Sequence, residues 1–402
     1  MNKQRTLKQS VLEISSSFKT LLVTGARQVG KTTLLKDAMD LDRKYVTLDN
    51  KADLLKAKTD PKGFLEYYNP PVFIDEIQYA PEIFNYIKIV ADDSNEKGLM
   101  WMTGSQRYDM MQGITESLAG RVAILDMLGF SLYELYDKAN LHKPFLPQKN
   151  RKAVLKRQNV KDTFKLIWQG FFPDVVNKNE KGRAVFYDSY VQTYIERDIR
   201  KIINVTDESS FLIFLKAAAA RTGQELNLSN IAKDVGISTN TAKSWLSVLQ
   251  TSGILYLLNP YFKNITKRLT KTPKIYFTDT GLAAYLAGWT ACQALEEGIA
   301  AGAFFETFVI TEIIKSYKHN AVPVNLYYYR DSDGKEIDLL INQNGLFYPI
   351  EIKKTSTPMP EDVKAFNTFS KIEKTGCGSL ICLTDKPQPL TDNITAISIW
   401  DI

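Results

Sequence analysis

Short apolar runs and stretches of helical periodicity take turns along the first third of the chain. Leu21-Leu22-Val23-Thr24 runs into Gly25, and a helical segment follows at 31–39. Four more runs of the same kind come after it: Tyr45-Val46-Thr47-Leu48, Val72-Phe73-Ile74, Leu99-Met100-Trp101-Met102-Thr103 and Val122-Ala123-Ile124-Leu125. Strands this short and this continuously apolar, spaced by helical stretches, predict a parallel sheet wrapped by helices.

The alternation stops after Leu132. Residues 142–157, with two prolines and many lysines, read as a linker or exposed loop. Residues 160–220 are mainly helical in pattern, 226–280 read as a winged helix, and from about 300 the order is helix, strand, strand, strand. The expected fold class is therefore α/β. A core at 1–135 precedes a helical extension or lid with its linker at 136–220, a winged helix at 221–290 and a second α/β unit at 298–402.

A chain of 402 residues, 44% hydrophobic and 24% charged, has the composition of a globular protein with two or three domains. No apolar stretch reaches the roughly 18–20 residues needed to span a bilayer. The start, Met1-Asn2-Lys3-Gln4-Arg5, leads into Ser15-Ser16-Ser17 without the apolar core of a secretion signal. Cys292, Cys377 and Cys382 form no close ligand pairing with the two histidines, His142 and His319, which argues against a zinc finger and a disulfide scaffold. The expectation is a reducing, cytoplasmic setting with no membrane partner. The net charge of +6 is mild and says nothing about nucleic acid by itself.

The chemistry is more specific. Gly25-Ala26-Arg27-Gln28-Val29-Gly30-Lys31-Thr32 fits G-x-x-x-x-G-K-[ST] without a mismatch, between a predicted strand and a predicted helix. Such a loop curls its backbone N–H groups around phosphate, and the helix N-terminus adds its positive end. Lys31 is expected on the terminal phosphates and the Thr32 hydroxyl on Mg²⁺, with Thr33 completing the loop. Val72-Phe73-Ile74-Asp75-Glu76 brings two carboxylates to the same sheet edge. Asp75 is expected to hold Mg²⁺ through water, and Glu76 to polarise the attacking water. The next strand ends in Thr103-Gly104-Ser105-Gln106, where Ser105 can sense the γ-phosphate. Arg121, in Leu118-Ala119-Gly120-Arg121, is either a surface arginine or a finger reaching a neighbouring subunit's nucleotide. Asn50-Lys51-Ala52-Asp53 spells the guanine-reading N-K-x-D, yet it precedes the Asp75-Glu76 strand instead of following it. ATP is the expected nucleotide.

These residues, in this order, resemble the AAA+ ATPases. The chain is similar to a prokaryotic AAA+ family that carries a C-terminal domain of unknown function. The likeness rests on Thr24–Thr33, Ile74-Asp75-Glu76-Ile77-Gln78, Leu118–Val122, Tyr194-Ile195-Glu196-Arg197-Asp198, Thr278-Asp279-Thr280-Gly281-Leu282 and Phe305-Glu306-Thr307-Phe308-Val309. It implies a P-loop NTPase core with ATP and Mg²⁺, and a C-terminal domain related to restriction-type endonucleases.

Two further segments extend the reading. Residues 230–241 have the shape of a helix-turn-helix, in which one helix ends at Gly236 and Ser238 caps the next. On that second helix Ala242, Trp245, Leu246 and Leu249 face inward, while Lys243 and Ser247 point elsewhere. The stretch 254–278 has no acidic residue but carries Lys263, Lys267, Arg268, Lys271 and Lys274. A basic strip beside a winged helix suits phosphate contact, so DNA is the expected partner.

Near the C-terminus, Glu336-Ile337-Asp338-Leu339 and Ile350-Glu351-Ile352-Lys353 lie across a hairpin turned at Asn344-Gly345. Asp338, Glu351 and Lys353, with Glu306 on a preceding helix, fit a PD-(D/E)XK nuclease. Asp338 and Glu351 would bind metal and Lys353 would orient water. The sequence thus predicts a Mg²⁺-ATP-hydrolysing homo-oligomer, such as a hexameric ring, acting on DNA with a nuclease-like end. The rival is a non-cutting, nucleotide-gated regulatory ATPase or adaptor in defence or stress, whose C-terminal fold only binds.

Overall fold

The computed structural model describes residues 3–105, 118–149, 151, 153–193, 208–264 and 271–402. Five strands form the first sheet: β1 (Thr20–Thr24), β2 (Lys44–Thr47), β3 (Val72–Asp75), β4 (Met100–Gly104) and β5 (Val122–Asp126). Their order is β2-β3-β4-β1-β5, and every pairing is parallel. The three central strands β1, β3 and β4 are buried along their whole length, which explains their unbroken apolar runs. Helices α1 (Leu7–Ser15), α2 (Lys31–Ala38), α3 (Lys51–Thr59), α4 (Pro61–Tyr67) and α5 (Phe84–Asp93) surround them. The N-K-x-D tetrad belongs to this scaffold. Asn50 caps α3 by accepting from Ala52 N–H at 2.9 Å, and Asp53 accepts from the Tyr68 hydroxyl at 2.6 Å.

Helices Val160–Gln169, Glu180–Tyr190 and Glu208–Ala219 follow. Then come the helices Leu228–Val235 and Thr239–Thr251, joined through Gly236 at φ 79°, a left-handed conformation that glycine adopts without strain. Ser238 caps the second helix by accepting from Thr241 N–H at 3.0 Å. Trp245 stands edge-on to Phe211 and Phe214. Strands β6 (Gln224–Glu225), β7 (Leu255–Leu258) and β8 (Lys274–Phe277) complete this unit as an antiparallel sheet in the order β6-β8-β7.

The C-terminal unit has six strands where the apolar pattern gave three: β9 (Asn325–Arg330), β10 (Glu336–Gln343), β11 (Leu346–Ile352), β12 (Gly378–Cys382), β13 (Gln388–Thr391) and β14 (Ile394–Ser398). The order is β13-β14-β12-β11-β10-β9, with β11, β12 and β14 parallel and the rest antiparallel.

The 18-residue helix Ala301–Lys318 runs from this sheet into the first unit. There Lys315 donates to Phe130 O at 2.9 Å, Leu132 N–H donates to Glu312 at 2.8 Å, and Lys318 pairs with Asp126 at 3.0 Å. One continuous apolar core therefore reaches from Leu7 to Ile402. Among the described residues no helix is long and apolar enough to cross a membrane.

Candidate functional site

Parallel register keeps the ends of β1, β3 and β4 level, so that one sheet edge carries Thr24, Asp75 and Gly104. Loop 25–30 leaves β1 there and enters α2. Gly25 has φ 147°, and a Cβ at this position would stand 2.1 Å from Met127 O, so only glycine fits. Ala26 and Val29 are buried anchors of the loop, and Gly30 at φ 98° is the N-cap of α2. Lys31 is buried, with its ammonium folded back onto the loop to donate to Gly25 O (3.0 Å) and Ala26 O (2.8 Å). Burial lowers its pKa to about 8 against the opposing pull of Glu76 and Asp75.

Asp75 is a hub for hydroxyls. It accepts from Thr32 at 2.8 Å, from Tyr45 at 3.1 Å and from Thr103. Glu76 sits at φ 58°, the left-handed region, and its N–H donates to Thr103 Oγ1 at 3.1 Å. Its carboxylate accepts from Gln78 Nε2 and lies 3.3 Å from Ser105 Oγ, which Gln78 also reaches at 3.3 Å.

A cavity of about 470 Å³ opens over these groups, lined by Gln28, Lys31, Thr32, Thr33 and Glu76 from the core and by Pro173, Asp174, Tyr190 and Thr193 from the helical unit. Arg27 also lines it and donates to the Tyr79 hydroxyl at 2.9 Å. The geometry thus gathers the predicted loop, Asp75, Glu76 and Ser105 into one place. Tyr45, Thr103 and Gln78 join them without having been given a role. Thr103 had a signal as a polar strand end and Gln78 as the residue two beyond the acidic pair; Tyr45 had none. Gln106 lies outside the described residues.

Residues 17–136 match the family described as "AAA domain". That match covers the first unit, which is thus similar to AAA domains. Residues 160–293 and 301–402 match two families described as domains of unknown function, DUF8612 and DUF4143. Uncharacterized proteins of Mycobacterium tuberculosis and Mycobacterium bovis are each 28% identical over 342 residues, or 84% of this chain and 71% of theirs. Among solved structures, the Thermotoga maritima RuvB Holliday junction branch migration motor aligns at 14% identity and a TM-score of 0.29, covering 66% of this chain and 95% of its own. A Vibrio cholerae protein aligns at 13% and 0.18, covering 94% of both chains. Scores this low carry no functional argument.

Within the first unit, Arg121 stands just before β5, where Val122 pairs with Thr20 at the opposite sheet edge from the P-loop. Its guanidinium binds Asp92 through Nε at 2.6 Å and Nη2 at 3.1 Å. It cannot reach the cavity of its own chain.

The predicted DNA contacts separate into three groups. Lys243, Lys263 and Lys271 are exposed, whereas Lys267 and Arg268 lie outside the described residues. Lys274 is 4% exposed and is not a surface contact. A basic-strip reading overlooks that Lys274-Ile275-Tyr276-Phe277 is a strand buried along its whole length.

The ammonium of Lys274 enters the C-terminal acid set instead. It lies 2.5 Å from Glu336, 3.0 Å from Glu306 and 3.4 Å from Asp338. Asp338 also accepts from Ile352 N–H at 2.9 Å, and Glu306 from the Tyr276 hydroxyl at 2.6 Å. Burial, reinforced by Asp338, raises the pKa of Glu351 to about 9 and that of Glu306 to about 7, with Lys274 opposing both. Burial works against the charge on Lys274, but Glu306, Asp338 and Glu336 outweigh it and hold its pKa above the ordinary lysine value.

Lys353 does not join this set, because its ammonium pairs with Asp362 at 2.8 Å. Among the described residues no group of three or more His, Cys, Asp or Glu side chains is arranged to hold a metal ion. Of the expected metal ligands Asp338 and Glu351, with Lys353 orienting water, Asp338 is occupied by an ammonium, and that side does not fit a metal here. The P-loop side does fit one: the Thr32 hydroxyl lines the cavity, and the buried Asp75 carboxylate behind it accepts from that hydroxyl at 2.8 Å.

Proposed function

We propose that the chain is a Mg²⁺-dependent ATPase that acts on DNA as a nucleotide-gated regulator or adaptor, without cutting it. The observation that carries the ATPase reading is Glu76, held by Gln78 and Ser105 beside Lys31 and Thr32 on the wall of one cavity. Thr32, with Asp75 behind it, would hold Mg²⁺, which supplies charge neutralisation at the β- and γ-phosphates when bound. Lys31 would exchange its two backbone carbonyls for phosphate oxygens. Glu76 would orient and polarise the attacking water, and Ser105 would lie near the γ-phosphate. A second copy of the chain would supply Arg121 once it leaves Asp92, which is the reason to expect a homo-oligomer.

The DNA reading rests on the helix-turn-helix with exposed Lys243 and on Lys263 and Lys271 nearby. A route for coupling is present as well. The helix Thr239–Thr251 ends against the P-loop, where a Cβ on Gly253 would lie 3.5 Å from Ala26 N. The binding-only reading of the restriction-endonuclease-like end is favoured over a PD-(D/E)XK nuclease by Lys274 among its acids and by Lys353 on Asp362.

The test is ATP turnover and nucleotide affinity with and without duplex DNA. Glu76→Gln should bind ATP as the parent does while turning it over about 10²–10⁴-fold more slowly. Lys31→Ala should lose binding. A Glu76→Gln variant with parental turnover removes the assignment.

A further inference from the structure

Lys274 is the first residue of β8, and its backbone is fixed from both sides. It pairs with Leu258 of β7 and with Glu225 of β6. Its side chain leaves that sheet and crosses into the C-terminal domain, among a carboxylate of the helix Ala301–Lys318 and two carboxylates of β10. The crossing is not loose. Thr222 and Thr307 share a hydrogen bond of 2.9 Å, Pro260 bridges Tyr328, and Tyr328 N–H donates to Asn259 O at 3.1 Å. Thr222, which accepts from Phe277 N–H of β8 at 3.1 Å, thus links β8 to the helix Ala301–Lys318, and residues 259–260 join the end of β7 to β9.

An ammonium carries three donors and no acceptor, so three carboxylate partners at 2.5–3.4 Å use all it has. One of them, Asp338, is with Glu351 the expected ligand pair of a divalent cation, which needs several oxygens at about 2.0–2.6 Å around one centre. Ammonium and metal cannot share that space. Nor can the lysine withdraw freely, since β8 would have to give up pairing on both edges.

We infer that Lys274 is the resident cation of the C-terminal acid centre, a built-in ammonium that takes the place of a divalent metal ion and locks the β7–β8 hairpin onto that domain. The inference rests on the binding-only reading of the C-terminal domain. It also explains why Lys353, the lysine of the motif, is engaged elsewhere: the acid centre already has its positive charge.

The experiment is Mn²⁺ titration of the nucleotide-free full chain, followed by the electron paramagnetic resonance signal of free Mn²⁺. Wild type and Asp338→Asn should take up the same amount. Lys274→Met should gain one equivalent, and Lys274→Met with Asp338→Asn should lose it again. The inference falls if Asp338→Asn takes up one equivalent less than wild type, or if folded Lys274→Met gains nothing. Should Lys274→Met not fold, the comparison of wild type with Asp338→Asn decides alone. Nicking of supercoiled plasmid on the same preparations separates the two levels. Nicking that Asp338→Asn abolishes overturns the binding-only reading, whereas an Mn²⁺ equivalent that wild type takes up and Asp338→Asn lacks, without nicking, overturns only the resident cation.

Discussion

At the scale of residues, phosphate binding would dictate residue type and spacing together in loop 25–32. Gly25 illustrates the strength of that constraint. Any side chain there meets Met127 O, and φ 147° is a conformation that L-residues rarely adopt. Gly25→Ala should therefore cost more than about 2 kcal/mol of stability and abolish nucleotide binding. Gly120 is the control: φ is 75°, but nothing lies within 4 Å of its missing Cβ. Gly120→Ala should cost only about 1–2 kcal/mol and leave nucleotide affinity unchanged. Thermal melts and a fluorescent-nucleotide titration of both variants check this, and equal behaviour would contradict the geometry. Tyr45 was not legible, since a hydroxyl on a strand is ordinary until folding aims it at Asp75. Lys274 was misread for a related reason. Charge counted along the chain does not report which lysine has its head group in water.

At the scale of elements, periodicity found the five parallel strands and the helix-turn-helix, because each buries a face of fixed period. It missed β13, which is half exposed, and β12 and β14, whose apolar runs Leu380-Ile381-Cys382 and Ala396-Ile397 are short. The helix Thr239–Thr251 makes a quantitative prediction possible. Its inward residues Ala242, Trp245, Leu246 and Leu249 are buried, which leaves Lys243 outward. If this face meets a duplex, Lys243→Ala, Lys263→Ala and Lys271→Ala should each weaken binding about equally for all sequences. Each should also reduce the slope of log K against log salt by about 1. Lys274→Met, by contrast, should leave that slope unchanged, because a buried ammonium releases no counterions from DNA. Fluorescence anisotropy at several salt concentrations measures all four variants, and a lower slope for Lys274→Met would return that residue to the surface strip.

At the scale of the whole molecule, the units are joined by a buried polar network, and that network is where cooperativity is tested. Glu134 is fully buried. It accepts from Thr6 N–H at 2.8 Å and Ser131 N–H at 2.9 Å, and it lies 3.3 Å from Arg5 Nε and 3.4 Å from His319 Nδ1. It thereby ties the N-terminal segment to the end of the helix Ala301–Lys318. Burial alone would raise its pKa, but Arg5 and His319 hold the carboxyl well below the usual range. Glu134→Gln leaves the Arg5 charge buried and unpaired, at a cost of about 3–5 kcal/mol. An unfolding entropy of roughly 2.1 cal/mol/K per residue makes this a fall in Tm of about 4–6 °C for a chain of 402 residues. Because the core is continuous, calorimetry should show one transition that moves as a whole. Two transitions, with only one displaced, would refute the joint core.

The neighbouring His142 gives the pH dependence. Burial, with His319 adding to it and Glu134 opposing, lowers its pKa to about 3; Lys315 and Arg151 also lower it. A folded value below the unfolded one, about 6.5, means that the neutral imidazole's contribution is complete above pH 6.5. It is lost as the pH falls from there toward 3. Glu306 and Glu351, with raised values, tilt stability the opposite way, so the pH profile of the wild type alone is uninformative. The difference between wild type and His142→Gln isolates the histidine. Whatever that difference is at pH 7.5, it should shift against the wild type by about 1.4 kcal/mol for each pH unit below about 6, in urea unfolding at pH 7.5, 6 and 5. A constant difference across that range would mean that His142 titrates in the folded protein as it does in water.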